Sequence, residues 1–344
     1  MNKIEQKLLL WYDQNKRLLP WRDIKDPYRI WISEIMLQQT RVEAVKSYYA
    51  RFLKQYPSVD VLANAEEEEV LKQWEGLGYY SRAKNMQKAA KEIVKRGGFP
   101  KTYEEWISLP GIGSYTAAAI VSNAYDVFVA SVDGNVLRVM TRYLASEREI
   151  SQASTKAFIK KEIEKFMTTR PGEINQALME LGATICLPKN PRCSDCPFQK
   201  DCQAFQMNKT DEYPKKEKKK QPKREEKTAL FFQYQDKLWL CKREKGLLNG
   251  FYEPFIVEKW LNAIDVENAF LQNNPKSIVI SLDTVNHVFT HRIWDMRGYL
   301  IILQQPFFDE RGKYYSFEEI DQVIPLPTAF QKFYKKIRNK KSDT

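Results

Sequence analysis

The chain has 344 residues, of which 43% are hydrophobic and 29% charged, so it has the composition of a globular protein of about two domains. Lysine and arginine outnumber aspartate and glutamate by 55 to 44, and this net charge of +11 favours a polyanionic partner such as nucleic acid. No apolar run approaches the ~18 residues of a membrane span and the start does not resemble a secretory signal, so we expect a cytoplasmic monomer without membrane association, nucleoid-associated if bacterial.

Helical periodicity dominates the N-terminal part of the chain. Apolar residues recur at three- and four-residue spacing in residues 30–39, 59–75, 82–95 and 116–124. Residues 208–227 are highly charged and nearly lack apolar side chains, which predicts a linker. The sequence thus predicts a helical domain over residues 1–207 and a second domain over residues 228–344.

The second domain is predicted to be α+β. Residues 228–234 and 237–240 flank a Gln235-Asp236 turn, which is typical of a β-hairpin. Further strands are predicted at 277–282 and 297–303, with helices near 257–270 and 316–322.

Four of the five cysteines lie within seventeen residues, with the spacing Cys186-x6-Cys193-x2-Cys196-x5-Cys202. Four thiolates in a proline-containing loop can hold either Zn²⁺ or an iron–sulfur cluster. Zinc sites more often use two paired C-x2-C knuckles, so the wider spacing favours one [4Fe–4S] cluster in the loop 186–202. Cys241 stands apart and is interpreted as a small buried hydrophobe.

A helix–hairpin–helix element is predicted near residues 109–117. Gly111 and Gly113 permit a tight turn that exposes backbone amides, including that of Ser114, at the start of a helix. Such amides attract a phosphate, although an ordinary helix–helix turn explains an isolated Gly-x-Gly equally well. Pro110 and the small residues that follow favour the DNA-binding interpretation.

Two carboxylates carry the candidate chemistry. Hydrolysis of a nucleoside bond needs a general acid for the departing base and an anion that stabilises the cationic sugar. Glu34 lies in an apolar helix, where burial would raise its pKa and keep it protonated. Asp133 follows an apolar segment and could instead be an ordinary helix N-cap. The only two histidines, His287 and His291, lie in the second domain, so histidine catalysis is not expected in the first.

The cysteine cluster, the hairpin and the basic charge together resemble the endonuclease III superfamily of DNA glycosylases. In the lyase members of that superfamily, a lysine that forms a Schiff base stands where this chain has Tyr115. The resemblance therefore implies a monofunctional glycosylase.

The segments around Glu34, Gly76–Ala83, the hairpin and Asp133 resemble those of the adenine DNA glycosylase (MutY) family. That family removes adenine mispaired with 8-oxoguanine from double-stranded DNA, and adenine opposite guanine is a further expected substrate. By this resemblance Glu34 protonates adenine N7, Asp133 stabilises or captures the sugar, and Tyr115 and Asn135 support Asp133. The adenine pocket would comprise Trp21, Arg22, Leu37 and Gln176, and Gln39 and Tyr79 would wedge into the duplex.

The second domain resembles the Nudix-like recognition domain of the same family. The segment from Lys242 to Gly246 does not continue into the glutamate-rich helix of a Nudix hydrolase, so a lesion reader is expected. The family inserts a Phe-Ser-His loop beside 8-oxoguanine, and this chain has Phe289, Thr290 and His291. Threonine keeps the hydroxyl group but adds a methyl group.

The implied fold is an all-α helix–hairpin–helix glycosylase domain with an iron–sulfur loop, followed by an α+β Nudix-like domain. Two alternatives stay open at this point. A thymine-mismatch glycosylase would share the cluster and Tyr115 but would not need the second domain. A DNA-binding or redox-sensing iron–sulfur protein would leave Glu34 and Asp133 without a role. Partnership with other repair proteins is compatible with the adenine glycosylase hypothesis and with both alternatives.

Overall fold

A computed structural model describes residues 2–217, 221–272, 274 and 276–342. The chain forms two compact units, one comprising Met1–Asn64 with Asn85–Lys219 and the other comprising Ala65–Lys84 with Lys220–Thr344. No helix in the described ranges is both long and apolar enough to cross a membrane.

The first unit is helical. Its helices are α1 (Lys3–Asn15), α2 (Pro27–Leu37), α3 (Val42–Gln55), α4 (Val59–Asn64), the larger part of α6 (Ser81–Lys95), α7 (Tyr103–Ile107), α8 (Ser114–Tyr125), α9 (Gly134–Tyr143), α10 (Ala153–Glu164), α11 (Pro171–Thr184) and α12 (Gln203–Gln206). Helix α8 packs against α2, α7 and α11, and α11 also contacts α1 and α9. Residues Thr116 to Asn123 of α8 are all buried, because their mostly small side chains let neighbouring helices approach from every side.

Local capping fixes where the site-bearing helices begin. Asp26 caps α2 by accepting from the Tyr28 amide, and Pro27 occupies the first helical turn, where its missing N–H costs nothing. Asp133 caps α9 by accepting from the Val136 amide at 2.7 Å. The N-cap alternative for Asp133 is therefore correct as a description of its local structure.

The second unit contains a seven-stranded mixed sheet. Its strands are β1 (Lys223–Tyr234), β2 (Lys237–Lys242), β3 (Tyr252–Glu253), β4 (Phe255–Val257), β5 (Ile278–Val288), β6 (Arg292–Leu303) and β7 (Gly312–Ser316). The main order is β3-β2-β1-β6-β5, with β4 paired to β1 and β7 paired to β2. Strands β1 and β6 are parallel, and β5 and β6 form an antiparallel hairpin.

Strand β1 is buried on both faces over residues 227–232. Ala229 and Phe231 of β1 belong to one apolar cluster, whereas Leu230 and Phe232 belong to another. This explains the unbroken apolar run in β1, since a strand covered on both sides does not alternate with polar residues. The helices of this unit are α5 (Glu67–Gln73), α13 (Ala263–Phe270), α14 (Phe317–Gln322) and α15 (Thr328–Ser342).

Residues 65–84 belong to the second unit and contact it extensively. The Lys72 ammonium donates to the carbonyls of Ile320 and Ile324, and the Tyr80 ring lies 4.0 Å from that of Phe251. Glu68 accepts hydrogen bonds from the Lys242 ammonium and the Tyr252 hydroxyl. The predicted single domain over residues 1–207 therefore differs from the observed division of the chain.

Three predicted elements need correction. The helix predicted over 59–75 is two helices, because α4 ends at Asn64 and the chain enters the second unit at Ala65 before α5 begins. The helix predicted over 257–270 begins only at Ala263, after a capping box at Asn262. The linker predicted over 208–227 is structured at both ends, because Thr210–Glu212 form a 3₁₀ turn followed by the buried Tyr213, and β1 already begins at Lys223. Its residues 218–220 lie outside the described part of the chain.

The two hairpin glycines give a matched test of the turn. Gly111 has φ +75°, and a Cβ there would lie 2.6 Å from the Cβ of Asn85, whereas a Cβ on Gly113 meets nothing within 4 Å. We expect Gly111→Ala to lower the free energy of unfolding by about 2 kcal/mol or more, through left-handed strain and overlap. Gly113→Ala should change it by less than about 1 kcal/mol, because the loss of a good N-cap is offset by a stiffer unfolded chain. Denaturant unfolding of both variants measures the difference, and equal losses would contradict the assigned turn geometry.

Candidate active site

The predicted catalytic and adenine-pocket residues line one cavity in the helical unit. The cavity measures about 190 Å³. Its walls include Trp21, Arg22, Glu34, Leu37, Tyr115, Asp133, Asn135 and Gln176. These residues come from five separate stretches of sequence, so their convergence is a property of the fold and not of local spacing.

Glu34 projects from α2 into this cavity. Burial raises the pKa of the Glu34 carboxyl to about 7, and the negative charge of Asp133 adds to the rise. The Tyr115 hydroxyl donates a 2.7 Å hydrogen bond to Glu34 Oε2, which acts in the opposite direction by stabilising the ionised form. A carboxyl with a pKa raised in this way keeps its proton to higher pH than an ordinary glutamate, which suits a general acid.

Tyr115 makes its hydrogen bond to the other carboxylate. The family resemblance implies that Tyr115 supports Asp133, and in the structure its hydroxyl donates to Glu34. The reason is that Tyr115 lies in the first turn of α8, which packs against α2. Burial and the two nearby carboxylates raise the Tyr115 pKa well above its usual value, so the group stays protonated and remains a donor.

Asp133 is held by donors on its own helix. Its Oδ1 accepts from the Val136 amide at 2.7 Å and its Oδ2 accepts from the Asn135 side chain at 3.0 Å. Burial raises the Asp133 pKa, while these hydrogen bonds oppose the rise. The N-terminus of α9 also favours negative charge at this position. Asn135 therefore contacts Asp133 as expected.

The Asn135 amide is itself fixed by an arginine. The buried Arg138 donates to Asn135 Oδ1 at 2.9 Å and to the Cys186 carbonyl at 2.8 Å. Since Oδ1 faces this guanidinium, the Asn135 NH₂ group must face Asp133.

A buried glutamate orients the arginines of the pocket. Glu180 lies on α11 with 1% of its side chain exposed and accepts hydrogen bonds from Arg17 at 2.6 Å and from Arg22 at 2.5 Å. These arginines hold the Glu180 pKa below its usual value against the effect of burial. Arg17 and Glu180 were not among the residues predicted for the site. Glu180 could have been found by the pattern that indicated Glu34, because it is an acidic residue in a helix whose neighbours Ala177, Leu178 and Leu181 are apolar.

Trp21 and Gln176, two further residues predicted for the adenine pocket, line the cavity and also contact other residues of the helical unit. Trp21 is 8% exposed and packs edge-on against Tyr49, so it serves core packing as well as the pocket wall. Gln176 lies on α11, where its amide is hydrogen-bonded to Tyr12 and Asn123. Asn123 was not predicted, since nothing in a single sequence distinguishes it from other polar helix residues.

The candidate DNA-contacting residues lie in turns. Gly111 and Gly113 are exposed between α7 and α8, and Ser114 is exposed at the first position of α8. Gln39 and Tyr79, the predicted wedge residues, both have left-handed backbone conformations, with φ of 57° and 47°. Non-glycine residues rarely adopt this conformation, and it concentrates at functional sites. Gln39 belongs to the first unit and Tyr79 to the second.

The four clustered cysteines surround a second cavity of the helical unit. Cys186 follows α11, Cys193 and Cys196 flank a short 3₁₀ turn, and Cys202 precedes α12. Arg142 donates to Cys186 Sγ at 3.3 Å and to the carbonyls of nearby loop residues. Across the described residues, no three histidine, cysteine, aspartate or glutamate side chains converge as ligands of a single metal ion. Cys241 is half-buried in β2, apart from this group.

In the second unit, Phe289, Thr290 and His291 form the turn between β5 and β6. The Phe289 amide donates to the Arg292 carbonyl at 2.8 Å, and the Phe289 ring packs 4.7 Å from that of Trp294. Thr290 and His291 are exposed. The phenylalanine therefore anchors the turn, and the next two side chains face outward.

Comparison with known proteins agrees with this architecture. Residues 32–165 match the model of the HhH-GPD superfamily base excision DNA repair proteins, and residues 228–336 match the NUDIX domain. The adenine DNA glycosylase of Buchnera aphidicola (subspecies Baizongia pistaciae) is 35% identical over 343 residues, which cover 97% of this chain and 96% of that protein. The chain belongs to the adenine DNA glycosylase family. It is a base excision repair enzyme that hydrolyses the N-glycosidic bond of adenine in DNA.

Other relatives match smaller parts of the chain. The mouse adenine DNA glycosylase is 44% identical over 211 residues, or 58% of this chain and 41% of the mouse protein. A thermostable thymine-DNA glycosylase structure matches 59% of this chain and 95% of its own, with 27% identity and a TM-score of 0.54. An endonuclease III–DNA complex matches 60% of this chain and 98% of its own, with 21% identity and a TM-score of 0.51, which shows the shared fold.

These matches decide between the alternatives raised by the sequence. A binding protein without activity is excluded by membership of an enzyme family. The thymine-DNA glycosylase matches only 59% of this chain, whereas the Buchnera adenine enzyme matches nearly all of it. The predicted two-domain fold, with a helical glycosylase domain and a Nudix-like domain, is confirmed.

Proposed function

We propose that the enzyme removes adenine mispaired with 8-oxoguanine, acts without lyase chemistry, and flips the adenine out of the duplex. The observation that carries this proposal is the pair of Glu34 and Tyr115 in one pocket: a carboxyl with a pKa of about 7 next to a tyrosine where lyase members of the superfamily have lysine. A phenol does not form a Schiff base with a sugar aldehyde. The backbone would therefore stay intact after base release.

Glu34 and Asp133 divide the chemistry between them. Protonated Glu34 delivers its proton to N7 of the flipped adenine, which makes the base a neutral leaving group. Ionised Asp133 then faces the positive charge that develops on the sugar at C1′, and either stabilises that charge or captures the sugar covalently. At ~4 Å and an effective dielectric of ~20, one such pair is worth on the order of 4 kcal/mol.

The rest of the pocket binds the base. Trp21 and Leu37 offer apolar contact, and the Gln176 amide reads the adenine edge by hydrogen bonding. Arg22 supports this wall through its ion pair with the buried Glu180. Gln39 and Tyr79 are each proposed to wedge into the duplex, and such wedging offsets the cost of unstacking.

Thr290 and His291 are the proposed readers of 8-oxoguanine. The proposal is supported by the exposure of both residues in a turn whose Phe289 packs against Trp294. In this arrangement Phe289 contributes by fixing the turn. The Thr290 hydroxyl can donate and accept hydrogen bonds, as a serine hydroxyl would.

The cysteine-lined cavity is proposed to hold one [4Fe–4S] cluster. Four thiols around one cavity and an arginine N–H directed at a sulfur fit such a cluster. The ligands would be Cys186, Cys193, Cys196 and Cys202. When bound, the cluster supplies a structural cross-link between the end of α11 and the start of α12.

We expect purified protein to contain iron and inorganic sulfide in equal amounts, and Cys196→Ser to reduce both. Cys241→Ser is the matched control, because Cys241 lies in the sheet of the second unit, and it should leave both unchanged. Elemental analysis and sulfide assay provide the measurement. Stoichiometric zinc without sulfide would overturn the cluster assignment.

The decisive activity test uses a duplex with one adenine opposite 8-oxoguanine. We expect strand scission only after alkali treatment, and a loss of about 10²- to 10⁴-fold in rate for Glu34→Gln with DNA binding retained. Glu43→Gln, an exposed acid on α3 paired with Lys46, should behave like the wild type. Scission without alkali would refute the monofunctional assignment. Release of thymine and not adenine would indicate the thymine-mismatch activity instead.

The pH dependence of adenine release tests the role of Tyr115. Because the acid must be protonated, kcat/KM should fall as the pH rises through about 7. Tyr115→Phe removes a donor that stabilises ionised Glu34, so the Glu34 pKa should rise and the alkaline limb should move to higher pH. If Tyr115 acted on Asp133 alone, the limb would stay in place while the rate fell.

A further inference from the structure

The Gln176 amide is the middle of a chain of three hydrogen bonds. The Tyr12 hydroxyl donates to Gln176 Oε1 at 2.5 Å, and Gln176 Nε2 donates to Asn123 Oδ1 at 2.7 Å. Asn123 Nδ2 in turn donates to the Ala119 carbonyl at 2.8 Å. Tyr12 is fully buried and Asn123 is 8% exposed, so water cannot easily replace either partner.

The direction of this chain is fixed at one end by the backbone. A carbonyl oxygen only accepts, so the Asn123 NH₂ group must face Ala119 and its Oδ1 must face Gln176. The Gln176 NH₂ group must therefore face Asn123, and its oxygen must face Tyr12. Rotating the Gln176 amide by 180° would place two oxygens 2.7 Å apart, unless Asn123 also rotated and opposed the Ala119 carbonyl.

The fixed amide has one donor and one acceptor left. A primary amide offers two N–H groups and two oxygen lone pairs, and the chain uses one of each. The remaining pair matches the edge of adenine that carries the N6 amine, a donor, beside N1, an acceptor. Hypoxanthine has the same shape but the reverse pattern on that edge, with O6 accepting and N1–H donating. N7 is already taken by Glu34 in the proposed mechanism.

We propose that Asn123 and Tyr12 are positioning residues that fix the orientation of the Gln176 amide, so that the enzyme accepts adenine and rejects hypoxanthine. The inference rests on the proposed reading of the adenine edge by Gln176. It assigns the discrimination to a residue on α8 and a residue on α1, beyond the side chain that contacts the base. Without Asn123 and Tyr12 the Gln176 amide can rotate, and it can then form hydrogen bonds with either adenine or hypoxanthine.

The test is the ratio of kcat/KM for adenine to kcat/KM for hypoxanthine, each placed opposite 8-oxoguanine in the same full-length enzyme assay. Asn123→Leu frees the amide to rotate, and we expect the ratio to fall by about tenfold or more. Tyr12→Phe retains the ring and one end of the chain, so its ratio should fall less. The double variant should approach the ratio of Gln176→Leu, which has no amide.

Ser122→Ala is the matched control. Ser122 is the neighbour of Asn123 on α8, is fully buried and also donates to the Ala119 carbonyl, but its remaining partner is Asn175 and not Gln176. We expect its ratio to equal that of the wild type. A purely structural role for Asn123 would lower both kcat/KM values in proportion, leave the ratio unchanged, and overturn the proposal.

The same variants distinguish a failure of base reading by Gln176 from a failure of positioning by Asn123 and Tyr12. If Gln176→Leu leaves the ratio at the wild-type value, Gln176 does not read the base and that part of the proposed function fails. If Gln176→Leu lowers the ratio but Asn123→Leu and Tyr12→Phe do not, only the positioning inference fails. Should Asn123→Leu not fold, Tyr12→Phe and its comparison with Gln176→Leu still decide the outcome.

Discussion

The candidate active site places two carboxyl groups in one poorly solvated pocket and must keep one of them ionised. The negative charge of Asp133 raises the pKa of Glu34, and burial raises the pKa of both carboxyls. The fold resolves this conflict by giving the two groups different environments. Asp133 receives donors and the positive end of α9, whereas Glu34 receives a single phenolic hydrogen bond on an apolar helix. An acid and an anion can therefore coexist in one cavity.

This arrangement explains why α8 is so rich in small residues. The helix must bring Tyr115 against α2 and Asn123 against α11 at the same time. Alanines at 117, 118 and 119 permit that close approach, and all three are fully buried. Larger side chains there would separate the elements that carry the pocket. The hairpin that begins α8 thus belongs to the same packing unit as the cavity lined by Glu34 and Asp133.

Residues with an unusual local sequence context could be predicted from the sequence, whereas contacts between distant helices could not. Glu34, Asp133 and the cysteines could be predicted because their local context is chemically unusual, and the family resemblance added the pocket residues. The partner of Tyr115, the arginine pair on Glu180 and the role of Asn123 could not be predicted. Each depends on which helices become neighbours, and a single sequence carries no record of that. Likewise, the periodicity of 59–75 concealed a break, because apolar spacing alone does not reveal which core a helix enters.

The membership of residues 65–84 in the second unit has a consequence for how this protein can be divided. The chain passes between its two compact units at 64/65, at 84/85 and again near 219/220. A fragment ending before β1 would retain Tyr80, Lys72 and Glu68 but lose Phe251, Ile320 and Tyr252. Residues 65–84 of such a fragment would therefore lack these partners. The two halves of the sequence are therefore not independent modules, and exchanging the C-terminal half between relatives would require exchanging this twenty-residue excursion with it.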